Sequence, residues 1–263
     1  MNNTTRVERS TVLSVIGSVL IAATVHLGAH AQESLRMNTP TLTAAQPASD
    51  TLTARQQAIA PITATAAAGN MAGLTTALNQ GLDAGLTINE AKEVLTQLYA
   101  YAGFPRSLNA LGELMKVVEA RRQRGIQDVD GAAPGRAIPT GEALLAAGTA
   151  NQTKLAGGPV KGALFDFAPT IDEYLKTHLF GDIFERDNLD WQSREIATVG
   201  MLAALPGAES QLQSHVRISM NVGLTVGQLR QLADVLTQRV DPAFGQRTSE
   251  ALVRHLGSLQ GAK

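Results

Sequence analysis

Glu209 and His215 stand six residues apart, and Arg194 and Glu195 precede them by little more than one helix length. These are residue types that move a proton on an acidic molecule. A glutamate beside a histidine fixes the ring's tautomer and favours its protonated form, so His215 is the candidate proton donor and Glu209 or Glu195 its orienting partner. Arg194 or Arg217 supplies a cation for a substrate carboxylate. By residue type alone the same set also fits a solvated helix face, since Trp191-Gln192-Ser193 offers a cap beside which a glutamate complements the helix dipole. His178, next to Leu179 and Phe180, fits a packed ring as well as a binding site. In the first half of the chain, Tyr99, Tyr101 and Phe104 suit either a pocket wall or core packing. Pro105 marks a helix boundary, which puts Arg106 and Asn109 one turn apart at the start of the next helix, a position suited to a carboxylate.

The elements that must position these residues are helices. From Thr53 to Arg124 apolar residues recur at three- and four-residue spacings: Ala58, Ile59 and Ile62, then Leu74, Leu78 and Leu82, then Ala91, Val94, Leu95 and Leu98. Thr87 and Glu90 form a capping box after a turn at Gly85, so a helix is predicted from about Ile88. Residues 125–164 are punctuated by glycine and proline and read as a linker with one short helix around Gly141 to Ala150. A second helical block follows from Phe165 to Leu259.

That block repeats the first. Gly223-Leu224-Thr225 restates Gly85-Leu86-Thr87, and the register set by aligning these two triplets pairs Leu74 with Leu212, Leu78 with Val216, Leu82 with Met220 and Leu98 with Leu236. The predicted organisation is therefore a first unit at 51–124, a linker at 125–164 and a second unit at 165–263, each covering a face the other would expose. In this register Glu209 and His215 fall on Met71 and Ala77, and Arg194 and Glu195 on Gln56 and Gln57, so the first copy lacks the charged set. The expectation is one composite pocket, with Arg194, Glu209 and His215 from the second copy and Tyr101, Phe104 and Arg106 from the first.

The chain has 263 residues and a net charge of −1 with no block of one sign, which argues against nucleic acid and anionic membrane surfaces as partners. Residues 1–31 read as a signal peptide: Arg6 and Arg9, an apolar run from Thr11 to Gly28, and the small-x-small site Ala29-His30-Ala31. Residues 32–50 read as a disordered leader. The expected location is periplasmic or secreted, off the membrane after cleavage. There is no cysteine, so export brings no disulfide, and thiol chemistry is excluded.

The stretch Ser193-Arg194-Glu195-Ile196-Ala197 to Glu209-Ser210-Gln211-Leu212-Gln213-Ser214-His215, then Asn221-Val222-Gly223-Leu224-Thr225, resembles the signature of carboxymuconolactone decarboxylases and the related alkylhydroperoxidase D proteins. Thr177 to Phe184 resembles the entry segment of the decarboxylases, and Tyr99 to Ala110 a later segment of the same unit. The resemblance implies an all-α fold, here two tandem alkylhydroperoxidase D-like units packed as a pseudo-dimer, and a homo-oligomer in which three tandem chains make a six-unit ring. The peroxidase branch depends on two cysteines, and a serine hydroxyl cannot pass through a sulfenic acid. The decarboxylase branch needs neither metal nor organic cofactor, because its lactone substrate carries its own electron sink. The implied function is a cofactor-free decarboxylase or lyase on a small acidic lactone or keto acid. Catalysis would fall to His215, Glu209 and Glu195, and binding to Arg194, Arg106, Tyr101, Phe104, Asn109 and His178. A non-catalytic exported binding or scaffold protein is the alternative, and an alkylhydroperoxidase-type antioxidant comes third.

Overall fold

The computed structural model describes residues 50–260; the signal peptide and almost all of the leader read from the sequence lie outside them. Eleven α-helices and one π-helical segment account for the regular structure of the described residues, with no strand among them. The first copy holds α1 (Ala54–Ala68), α2 (Met71–Asp83), α3 (Ile88–Gln97) and α4 (Tyr99–Gln123). Next come α5 (Glu142–Ala156), α6 (Ala163–Phe167), α7 (Pro169–Tyr174) and a π-helical continuation, Leu175–Ile183. The second copy holds α8 (Trp191–Ala203), α9 (Glu209–Asn221), α10 (Val226–Arg239) and α11 (Pro242–Gln260).

The register that aligns Gly85 with Gly223 carries α2 onto α9 residue for residue and brings the starts of α3 and α10 together. Even the break recurs: α4 is interrupted at Gly103 (φ 81°, ψ 161°), and α11 opens at Pro242, the counterpart of Phe104. The capping box predicted at Thr87 is formed, with Glu90 N donating to Thr87 Oγ1 (3.2 Å) and Thr87 N to Glu90 Oε2 (2.9 Å). Its counterpart Thr225 makes the same box with Gln228. Three of the four apolar pairs of the repeat are core in both copies, with Leu74, Leu78, Leu98, Leu212, Val216 and Leu236 at 1% exposure or less, while in the fourth Leu82 is buried and Met220 partly so.

The two copies join through α1 and α8. Both are buried on every face along their middle stretches, from Ala58 to Ala67 in α1 and from Ser193 to Ala203 in α8. They cross antiparallel, since Thr63 Oγ1 donates to the Ala197 carbonyl (3.0 Å) while Gly200 sits against Ala60. A Cβ at Gly200 would stand 2.5 Å from Thr63 Oγ1 and 2.9 Å from the Ala60 carbonyl oxygen, so only glycine lets the helices approach this closely. Gly200→Ala should therefore destabilise the fold by about 1–3 kcal/mol through overpacking. Gly112→Ala on α4, where a Cβ meets nothing within 4 Å, should instead be neutral or gain about 0.5–1 kcal/mol. Paired thermal unfolding curves check both, and equal behaviour of the two variants would contradict this account of the crossing.

The helix foreseen around Gly141 to Ala150 runs on to Ala156, because Leu155 is wholly buried with Leu179, Phe180, Ile183, Phe184 and Ile218 in a second, smaller core cluster. Among the described residues no helix is long and apolar enough to cross a membrane.

Candidate functional site

His215 is on α9 and Glu195 is on α8; their ring and carboxylate meet where the two helices pack. His215 Nδ1 lies 2.8 Å from Glu195 Oε2, with His215 at 8% exposure and Glu195 at 0%. Since ionised Glu195 can only accept, Nδ1 carries the proton of this bond and Nε2 is left as the working nitrogen. The first copy adds a third side chain. Tyr101, in the turn of α4 before the break at Gly103, presents its ring edge-on to His215 with centroids 5.7 Å apart.

Two polar atoms around this pair, Tyr101 Oη and Glu195 Oε1, are buried and make no hydrogen bond of good geometry among the described residues, although the Thr198 hydroxyl lies close enough to Tyr101 to act on it. Burial, reinforced by the Glu195 carboxylate, drives the Tyr101 hydroxyl far above the usual phenol range, and the opposing pull of the Thr198 hydroxyl and the Arg194 charge is smaller. It therefore stays protonated and can act as a donor. A buried polar group without a partner costs about 1–3 kcal/mol, and such a cost persists most readily where a ligand or water completes the set.

Arg194, beside Glu195 in the chain, turns toward α3 where Glu195 turns toward α9, and is fully buried. It donates to Glu93 Oε1 (3.1 Å), Gln97 Oε1 (3.2 Å) and the Arg186 carbonyl (2.9 Å). Arg186 grips the same Glu93 carboxylate from outside, at 2.6 and 3.0 Å. Burial pushes the Glu93 carboxyl up, but the Arg186 hydrogen bond and the Arg194 charge outweigh it and hold the group below its ordinary value. The two terminal nitrogens of Arg194 are thus committed to an ion cluster tying α8 to α3, while its Nε is buried with no hydrogen-bond partner among the described residues.

The other residues singled out from the sequence are dispersed. Glu209 is exposed at the first turn of α9, accepts from Gly207 N (3.1 Å), and its carboxyl is held low by backbone N–H groups, its own first and then that of Gly207. The partner of His215 is Glu195, because α8 and not the start of α9 faces the ring. Arg106 lies over Gly69 at the end of α1, where a Cβ would overlap its guanidinium, and no contact joins it to His215 among the described residues. Of the first-copy residues expected beside His215, the structure brings Tyr101 to it and not Arg106. Phe104 is exposed and stacks on Tyr99 (4.5 Å, 12°), whose ring lies 5.3 Å from that of His178. His178 is itself exposed and bonds Asp182 (2.7 Å). Asn109 is exposed on α4, and Arg217 is exposed on the face of α9 away from Glu195.

Two features around the site were not read from the sequence. Glu93 and Gln97 are a polar pair four residues apart within the apolar stripe of α3, a pattern that marks buried partners for an ion. A cavity of about 350 Å³ lined by Lys154, Asp190, Trp191, Gln192, Asn221 and Val222 shares Trp191 and Val222 with the apolar cluster on which Tyr99 and Tyr101 pack. Lys154, whose ammonium sits 4.8 Å over the Trp191 ring, comes from the stretch read as a linker. Among the described residues no cluster of three metal-ligating side chains is formed.

A sequence model of the carboxymuconolactone decarboxylase family matches residues 32–115 and again residues 169–253, more than half of the chain in two successive segments. A 4-carboxymuconolactone decarboxylase of Acinetobacter baylyi is 30% identical over 69 residues, which are 26% of this chain and 51% of that protein. The chain thus spans about half the length of that curated relative.

Proposed function

The chain belongs to the carboxymuconolactone decarboxylase family, and from that premise we propose that it is a cofactor-free carboxy-lyase with one proton-transfer centre per tandem chain, acting on a small acidic lactone or keto acid. The observation that carries this reading is the buried 2.8 Å bond between His215 Nδ1 and Glu195, completed from the other copy by Tyr101. The substrate's carbon–carboxylate bond breaks, carbon dioxide leaves, and the electron pair moves into the adjacent carbonyl to give an enolate. The protonated Tyr101 hydroxyl donates to the enolate oxygen, and His215 delivers a proton from Nε2 to the carbon that lost the carboxylate. Glu195 holds the ring and stabilises its cationic form before transfer. The first copy has Gln57 and Ala77 at the matching positions and supports no second centre. Export of the chain, as read from the signal-like segment at positions 1–31, sets the substrate apart from intermediates made inside the cell.

The test is release of carbon dioxide from a panel of γ-lactone carboxylates and β-keto acids by the purified full chain. Turnover of at least one class above the spontaneous rate is expected. A second reading, binding without turnover, is favoured by the confinement of Arg194 in its ion cluster. It predicts saturable binding of the same acids with no carbon dioxide released.

A further inference from the structure

On the far side of α9 from His215, a cleft of about 230 Å³ runs between α9 and α11, lined by Ser210, Gln213, Ser214, Arg217, His255 and Ser258. Each of the six carries a hydrogen-bond donor, and none is a carboxylate or an apolar side chain. Ser210 and Ser258 donate locally, to Gln211 Oε1 (2.9 Å) and the His255 carbonyl (2.6 Å), while their lone pairs stay open. Gln213, Ser214, Arg217 and the His255 ring have no hydrogen bond or ion pair among the described residues. His255 is more than nine-tenths buried, at 7% exposure, yet its ring lines this cleft.

The other copy provides an internal control. At the same register the first copy has Ala72, Thr75, Thr76, Asn79, Val117 and Ala120. There Val117 is core, and the end of the groove is occupied by Arg121, which bonds Asp128 and Asp83 (2.8 Å each) and Asn79 (3.4 Å). One copy therefore closes the groove with compensated ions, while the other leaves an arginine and a buried histidine facing unfilled space. The fold does not demand the second arrangement.

We propose that the α9–α11 cleft is a binding site for a small oxyanion, a phosphate or carboxylate group, held by Arg217 and His255 with Ser214 and Gln213 as further donors. The volume is several times the roughly 30 Å³ share of one water in the liquid, so a solute group fits. Arginine with neighbouring hydroxyl and amide donors matches oxyanion geometry. The site is separate from the Glu195–His215 centre and stands whether or not that centre is catalytic. Burial, and then the Arg217 charge, pull the His255 ring below its ordinary pKa; no other charged group is found acting on it from α9 or α11. A bound anion reverses that field.

The experiment follows the His255 ring by NMR through a pH titration of the full chain in chloride, then with inorganic phosphate and, separately, with acetate or malonate; His255→Gln assigns the resonance. A saturable rise of about one pKa unit, typical of an opposite charge brought close, is expected with at least one of the two anion classes. Response to phosphate alone identifies a phosphate-bearing ligand, and response to the carboxylates alone a carboxylate. Arg217→Gln should raise the ring's pKa in chloride and abolish the anion dependence. An unsaturable response equal to that of chloride, or one unchanged in Arg217→Gln, overturns the site.

Discussion

Replacing Glu93 with alanine is expected to lower the unfolding free energy by about 3–5 kcal/mol, because it strands the wholly buried Arg194 guanidinium without its counter-charge. Arg194 would retain only neutral partners, Gln97 and the Arg186 carbonyl. The double variant Glu93→Leu/Arg194→Met should recover most of the loss, since removing both members of a buried pair is far less costly than removing one. Denaturant unfolding of the two singles and the double checks this, and strict additivity would contradict it. A pH dependence follows as well. Glu93 titrates below its ordinary value of 4.5 in the folded chain, so its contribution is complete above that pH and is lost as pH falls through the folded-state value. Wild-type stability should keep falling with acid below about pH 4.5 more steeply than that of Glu93→Gln.

The second large effect belongs to the site itself. Glu195→Gln keeps the shape of the buried side chain but removes the charge that holds His215 Nδ1–H, and the amide can turn its NH2 to the ring and impose the other tautomer. Turnover should fall by about 10²- to 10⁴-fold, the range for a displaced proton donor, with a much smaller proportional change in KM. Tyr101→Phe preserves the edge contact with the ring and deletes only the unpartnered hydroxyl, so a loss of about tenfold is expected, one hydrogen bond's worth. If the pair merely stabilises the fold, Glu195→Gln shifts the melting temperature and leaves turnover untouched. Steady-state kinetics beside thermal unfolding separate the two cases.

The helices were legible because their determinants are local: the Thr87 capping box, the leucines at three- and four-residue spacings, the glycines that end turns. The repeat was legible because two copies must bury the same stripe, which is why Leu74 and Leu212 agree. What sequence spacing does not give is rotation of one helix about another. Arg194 and Glu195 are adjacent, yet successive residues on a helix point about 100° apart. One therefore meets α3 and the other α9. Spacing left Glu209 and Glu195 as alternative partners for His215; Glu209 occupies the helix's first turn and bonds the loop before it, which leaves Glu195. Arg106 follows Tyr101 by five residues, and the break at Gly103 sends it over Gly69 instead of toward His215. The helix foreseen around Gly141 to Ala150 is α5, and its last turn was missed because only Gly148, Gln152 and Leu155 pack inward, too few apolar residues to extend the pattern.

The most direct measurement of the central claim is made in deuterium oxide. Wild-type chain and His215→Asn are given the same acidic substrate, and carbon dioxide release is recorded together with deuterium at the carbon that lost it. The account predicts that the wild type releases carbon dioxide and leaves one deuteron there in a single stereochemical sense. It also predicts that His215→Asn, with an unchanged melting temperature, falls by about 10²- to 10⁴-fold in rate. Equal rates and equal labelling in the two proteins would contradict it.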